Sequence, residues 1–460
     1  MPTSGSTELR RSLGFTDLLL ITIGTVIGSG IYLVPSIVLR QTAGRTDLAL
    51  MVWAAAGVLS LLGALTYAEL GAMRPEAGGL YAYLRDAFGP LPAFLYGWAS
   101  FLVIASGSIA ALAVAFANYL SPLLPFHVPG PLISVLTIAV VAAINVRGTR
   151  GSATVQNWTT GAKFGVLLVL SLLLIVRGNG GAGTVGTITE APNASLAAGI
   201  GAAMIGVLWA YEGWQYVTFS AGEAKDPQRT FPRAISIATF LLIVLYLVAN
   251  FGYVRALGPV GAANSERVAA DAMGTVLGPI AGAIVSALIL VSIFSALNGL
   301  VLTTPRMFYA MARDRVFFQR LAAVHPRFGT PAFAIVTLTA WGAALAASGT
   351  FSQLLTYAVF TGWIFYAGGA LAVIALRRSL PNVPRPFRVP GYPITPLLFV
   401  IAAALLVINT IVTQPVISAV GLGFVAAGAP VFFYWRSRAR RSSAGDATGA
   451  SPLHEPPPVS

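Results

Sequence analysis

The chain is dominated by long apolar runs, and these leave few folds open to it. Such runs cover residues 15–39, 48–72, 92–120, 131–147, 153–176, 195–221, 233–256, 278–304, 332–348, 352–376, 394–413 and 416–435. A hydrocarbon core of about 30 Å takes roughly 20 apolar residues in helical form. The spacing therefore predicts an all-α integral membrane protein with about twelve transmembrane helices. Composition agrees: 56% of the 460 residues are hydrophobic, only 9% are charged, and mean hydropathy is +0.79. No soluble core needs that much apolar sequence.

The formal net charge is +13. The cations sit between the apolar runs rather than on one soluble face, which points away from nucleic acid. With the N-terminus placed inside, 22 of the 28 lysines and arginines fall in cytoplasmic segments and five fall outside. That asymmetry predicts a multi-pass protein of the cytoplasmic (inner) membrane with both termini cytoplasmic. Residues 1–14 are polar and carry no signal-peptide pattern. Residues 436–460 open with Arg436, Arg438, Arg440 and Arg441 and continue in Ser, Ala, Gly and Pro, so a disordered tail is expected. The basic start is a stop-transfer signal or a lipid-headgroup contact. There is no cysteine, which excludes disulfides and thiolate metal sites.

Two of the runs are interrupted. Val26, Ile27, Gly28, Ser29 and Gly30 break the first, and Trp209, Ala210, Tyr211, Glu212 and Gly213 break the sixth. Glycines and a carboxylate at membrane depth are costly in a continuous helix. They are expected where a helix unwinds around a solute, and transporters with inverted repeats place such breaks at matching positions in their halves. Counting 1.5 Å per residue from the entry points puts Gly28 ~20 Å deep, Lys163 ~15 Å and Glu212 ~25 Å. Three segments thus bring polar features to similar depths. Amides around Gly28–Gly30 suit a carboxylate at a helix N-terminus, and unwound carbonyls suit an ammonium. The alternative for a lone Gly-x-Gly is helix packing through small residues.

Lys163 is the sharpest single residue. A mid-membrane lysine is unfavourable by several kcal/mol unless paired or neutral. Carbonyls of the broken first helix and hydroxyls such as Ser292 or Ser295 could take its three donors. It would then replace a bound cation, or couple transport to a proton. Snorkelling is the plainer alternative, but the predicted helix ends are far away. Glu212 could touch a substrate amine, carry a proton or face a vestibule. Trp209 and Tyr211 could close over a solute or simply pack. Glu69 is expected to pair with a loop cation. Glu223, Lys225, Asp226 and Arg229 form a loop before a helix start expected at Pro232. Arg306, Arg313 and Arg315 form an inner gate with acids or merely follow the positive-inside rule.

Four stretches together carry a family likeness: GTVIGSGIY, LTYAELGAMRPEAGGLYAYLRDAFG, WAYEGWQYVTFSAGEAKDPQRTFPRAI and LNGLVLTTPRMFYAMARDR. In order and spacing over residues 12–435 the chain resembles the amino acid–polyamine–organocation superfamily, most of all bacterial relatives of the L-type amino acid transporter branch. The resemblance implies a leucine-transporter-like fold of two inverted five-helix repeats, here 15–177 and 195–376, with two appended helices over 394–435 and discontinuous helices one and six. It implies that the substrate carboxylate meets amides around Ser29 and Gly30, and that the amine meets carbonyls near Val26, Trp209 and Glu212. Lys163 matches a lysine that many bacterial members carry where sodium-coupled relatives hold sodium. There are two departures. The loop SPLLPFHVPG lacks the cysteine by which animal light chains join a glycoprotein, so no disulfide-linked heavy chain is expected. Glu212 stands where animal members often have a small or apolar residue.

The expected function is an L-amino acid permease, for neutral substrates, sodium-independent and working by exchange or proton coupling. Its partners are the amino acid and membrane lipid, with no cofactor and no metal, as a monomer or weak homodimer. A cationic amino acid or amine transporter with Glu212 as counter-ion is the alternative, and a non-transporting amino acid sensor is one of another class. An enzyme is disfavoured, because His127, His325 and His454 lie in loops or the tail with no acid–base constellation. A channel would call for a selectivity ring, and none is visible.

Overall fold

The computed structural model describes residues 9, 11–180, 187–188, 195–278, 280–348 and 351–448. The first broken run becomes α1 (Phe15–Val26) and α2 (Gly30–Gln41), bent by 44° about the intervening residues. Then follow α3 (Thr46–Met73), the short connecting helix α4 (Leu80–Phe88), and α5 (Pro90–Ala99). A π-helical turn over Ser100–Ile104 joins α5 to α6 (Ala105–Leu120), so one span carries a local bulge. The first half closes with α7 (Gly130–Val146) and α8 (Thr149–Arg177).

The second broken run is α9 (Leu196–Ala210), followed by turns and a 3₁₀ stretch over Tyr216–Glu223. After it come α10 (Pro227–Asn264), α11 (Val268–Leu277), α12 (Ile280–Thr303), α13 (Pro305–Arg313), α14 (Ala332–Ser348), α15 (Phe351–Ser379), α16 (Ile394–Thr413) and α17 (Pro415–Thr448). No named strand occurs among the described residues. Among the described residues eight helices are each long and apolar enough to cross a membrane, and α1 with α2 adds a ninth. The shorter apolar helices α7, α9 and α14 complete the twelve. α7 and α14 have 17 residues each, about 25 Å of rise, which is just enough for the hydrocarbon core.

Outward-facing side chains such as Leu136, Trp158, Val169, Leu405 and Val412 are exposed and apolar, as hydrocarbon rather than water requires. The inner helix α1 is enclosed by α8, α10 and α12, while α2 lies along α9.

Two boundaries differ from the sequence reading. α10 starts at Pro227 rather than Pro232, because a proline at the first helical position costs no hydrogen bond. α17 runs on to Thr448, where the composition predicted a disordered tail from 436. Nothing between Trp435 and Thr448 includes a proline, and Arg and Ala are good helix formers. The rest of that tail, 449–460, lies outside the described residues, as does most of the N-terminal segment 1–14.

Candidate substrate site

α1 stops because Ile27 forms an inverse γ-turn. Its φ and ψ are −71° and 87°, and Gly28 N donates back to Val26 O at 2.8 Å. In a continuing helix Gly28 N would have served Gly24 O, so that carbonyl is released. Lys163 of α8 takes it up. Its buried ammonium, 2% exposed, donates to Gly24 O at 2.7 Å, to Ile27 O at 2.6 Å and to Ser292 O at 3.3 Å. All three donors are used, two of them on the break.

Ser292 and Ser295 act differently from expectation. Ser292 meets Lys163 through its carbonyl, while its hydroxyl donates to Ile27 O at 3.0 Å. Ser295 lies a turn away on α12, where its hydroxyl meets Thr160 at 3.3 Å and not Lys163. Residue 160 is likewise about one turn before Lys163 on α8, so the two serines meet different turns of the facing helix.

The second break lies against the first. Glycine is obligatory at Gly213: φ is +131°, and a Cβ there would sit 2.7 Å from Thr25 O. Thr25 Oγ1 donates to Gly213 O at 3.0 Å. Gly30 is equally constrained, since a Cβ would fall 2.7 Å from both Cα and Cβ of Ala210. Tyr246 of α10 places its hydroxyl between the breaks, 3.2 Å from Val26 O and 3.1 Å from Ala210 O. Trp209 O accepts from Glu212 N at 2.9 Å and so closes the end of α9.

Glu212 is buried. Its Oε1 accepts from Tyr366 at 2.9 Å, Tyr216 at 3.2 Å and Gln215 at 3.4 Å, while Oε2 has no partner among the described residues. The Ser29 hydroxyl is likewise buried without a partner there. Both residues line one cavity with Val26, Gly28, Gly30, Trp209 and Ala210. The remaining predicted residues lie behind it. Ile27 serves Lys163, Gly213 contacts Thr25, and the Tyr211 ring packs on Trp53 and Tyr246, with centroids at 5.9 and 5.0 Å. The cavity, about 30 Å³, holds a water or two but not an amino acid, so substrate entry requires the walls to part.

Sequence reasoning missed Ser108 and Leu112 of α6, Ala296 and Leu300 of α12, and Thr25 and Tyr216, all of which also line the cavity. It also missed Tyr246 and Tyr366, although Tyr246 carries the lone hydroxyl of one apolar run (LLIVLYLVAN) and Tyr366 one of two, with Thr361, in another (TGWIFYAGG), and that was the available signal.

Below the cavity, the end of the bundle nearest α1's start is tied shut. Arg306, fully buried, donates to Glu223 Oε1 at 2.6 Å and to Thr149 Oγ1 at 2.8 Å. Arg306 thus has a buried acid as its partner, as the gate reading requires. Backbone bonds from Ser12 and Leu13 to Glu223 O, and from Lys225 to Leu13 O, dock the N-terminal segment on the same place. Asp17 pairs with Arg150 at 2.7 Å, and Asp314 with Arg85 at 2.7 Å. Glu69 takes Arg377 through both oxygens, at 2.8 and 2.6 Å, and Arg385 at 3.5 Å. Arg377 belongs to the last turn of α15, and Arg385 is the expected loop cation.

Two broken helices meeting over a small cavity that holds a buried carboxylate define a membrane solute carrier. Residues 13–433 match the amino acid permease family, and the chain belongs to it. It is 31% identical to the serine/threonine exchanger SteT of Bacillus subtilis (strain 168), covering 94% of this chain and 98% of that one. It is 32% identical to the human b(0,+)-type amino acid transporter 1, over 89% of this chain and 84% of that one. The rat large neutral amino acids transporter small subunit 2 is 31% identical, over 94% and 83%. These relatives are transporters rather than enzymes. Lacking cysteine, this chain forms no disulfide with any partner.

Proposed function

We propose that the protein moves neutral L-amino acids across the cytoplasmic membrane by alternating access, without sodium, by exchange or proton coupling. The observation that carries this is the Lys163 ammonium, which holds the Gly24 and Ile27 carbonyls of the broken helix. A fixed ammonium bonded to released carbonyls does the work of a metal cation at that place, so no sodium ion is needed to hold the break. The N–H groups of Ser29, Gly30 and Ile31, which precede the first bond of α2 from Tyr32 N to Ser29 O at 3.1 Å, suit the substrate carboxylate. The Ala210 carbonyl, faced among the described residues only by the Tyr246 hydroxyl, suits the amine best, with Val26 O, which already holds the Gly28 amide, as its second acceptor; the expected Trp209 carbonyl is used within α9. Segments 15–177 and 195–376 act as the two repeats. The exchanger and neutral amino acid names of the relatives agree with this reading.

Counterflow into proteoliposomes in sodium-free buffer tests it. Labelled neutral amino acids should enter faster when unlabelled amino acid is inside, and strict sodium dependence would refute the proposal. A second reading rests on the unpartnered Oε2 of Glu212, which could receive a cationic side chain. In that case Glu212→Gln abolishes uptake of cationic amino acids. Unchanged cationic uptake rules that version out.

A further inference from the structure

Away from the substrate site, on the side of the bundle, lies a groove of about 620 Å³ lined by Phe101, Phe318, Phe333, Thr337, Trp435 and Arg320 among others. It forms where the π-helical turn of one span, the chain after α13, the start of α14 and the lower part of α17 meet. Phe318 and Phe333 are 55% and 44% exposed, so their rings are not consumed by the core. The Phe318 ring stands edge-on to Trp435 at 5.1 Å and to Phe317 at 5.1 Å, which gives the groove an aromatic floor. Along α14, Phe333, Thr337 and Trp341 recur every four residues on one face. They mark a track of about 12 Å running toward the middle of the span. At its far end Trp341 Nε1 donates to Leu102 O of the π turn at 3.1 Å.

Charge gives the groove a direction. Residues 315–348 hold Arg315, Arg320 and Arg327 and no acid, Asp314 just before them being paired with Arg85, and 415–445 hold Arg436, Arg438, Arg440 and Arg441, with one acid, Asp446, directly after. Arg320 is exposed at the mouth, and Arg436 is exposed beside it in sequence to Trp435, its guanidinium 5.9 Å from the Phe432 ring centroid. An apolar track ending in Arg320 and Arg436, which form no ion pair among the described residues, matches one chemistry, an acyl chain joined to an anionic headgroup. We propose that this groove binds an anionic phospholipid, its acyl chain along α14 and its phosphate at Arg320 and Arg436. Basic pockets at the ends of transmembrane helices recognise acidic headgroups on these grounds.

Native mass spectrometry of the detergent-purified protein tests this with phosphatidylglycerol and phosphatidylcholine of matched acyl chains. The protein should retain phosphatidylglycerol at concentrations on the order of tenfold below those needed for phosphatidylcholine. Arg320→Gln with Arg436→Gln should bring the two lipids level. Thr337→Trp, which fills the track, should weaken both. Arg229→Gln with Arg233→Gln, exposed arginines elsewhere on the same end, should leave the preference intact. Equal binding by the unaltered protein overturns the proposal. So does a preference that survives the first pair, a loss of equal size in the control pair, or no effect of Thr337→Trp on either lipid.

Discussion

Replacing Lys163 with methionine separates what the lysine does for folding from what it does for transport. Methionine fills nearly the same space, so no large cavity opens. It removes three donors, those to Gly24 O, Ile27 O and Ser292 O. Ile27 O keeps the Ser292 hydroxyl, but Gly24 O has lost its helical partner to the γ-turn and is left bare. A buried carbonyl without a donor costs about 1–3 kcal/mol. Against this, removing a lysine from mid-membrane relieves about 2.5–3.5 kcal/mol on insertion scales. The two nearly cancel, so thermal stability should change by a few degrees at most. The break, however, loses its tie to α8. Charge-assisted hydrogen bonds are worth about 1.5–3 kcal/mol each, so the correctly posed break should become about ten- to a hundredfold rarer. Counterflow rates per folded molecule should fall accordingly. If the variant transports within twofold of the unaltered protein, the lysine does not hold the site. If it unfolds 10 °C or more lower, its role is structural and the energy comparison is wrong.

Four other outcomes follow from the same geometry. Gly30→Ala drives a Cβ to 2.7 Å from Ala210, an overpacking of about 1–3 kcal/mol. It should raise the counterflow KM about tenfold, and adding Ala210→Gly should recover part of this. Gly28→Ala meets Leu112 and Ala296 at ordinary contact distances of 3.5 and 3.6 Å, so it should raise KM with no loss of thermal stability. Glu223→Gln leaves buried Arg306 uncompensated at a cost of about 3–5 kcal/mol, measurable as a lowered melting temperature that Arg306→Met in the same chain largely restores. Tyr246→Phe removes a hydroxyl that occupies the carbonyls meant for the amine, so KM should fall severalfold while stability changes by about 1 kcal/mol.

The membrane spans were legible because each carries its own signal: a long apolar run bounded by charge or proline. The breaks were legible because Gly28, Gly30 and Glu212 are locally out of place in such runs. Lys163 was legible for the same reason, and so was the identity of one partner, the first helix. What escaped was the side of each residue. Nothing in the order of residues says that Ser292 offers its carbonyl while Ser295 faces Thr160, or that Tyr211 turns its ring away from the cavity to Trp53. Those choices depend on the rotation of α9 and α12 about their axes, which packing between distant segments sets. Ser108 and Leu112 reach the cavity from α6 for that reason, without any local mark. The paired tie of Arg306 to Glu223 joins residues 83 apart, so the sequence left it as one of two readings.

The hydroxyl of Tyr246 faces two carbonyls, one from each broken helix, and owns a single hydrogen. Val26 O also holds the Gly28 amide, so when the phenol turns to Val26 it is Ala210 O that goes without. The junction of the helices is therefore electron-rich by construction, a socket with more lone pairs than protons. An ammonium brings three hydrogens where the phenol brings one, so its arrival would let both helix ends be served together. On the proposed reading the junction is better bonded with cargo than without it, and a protein with that property turns over when loaded and stays still when empty.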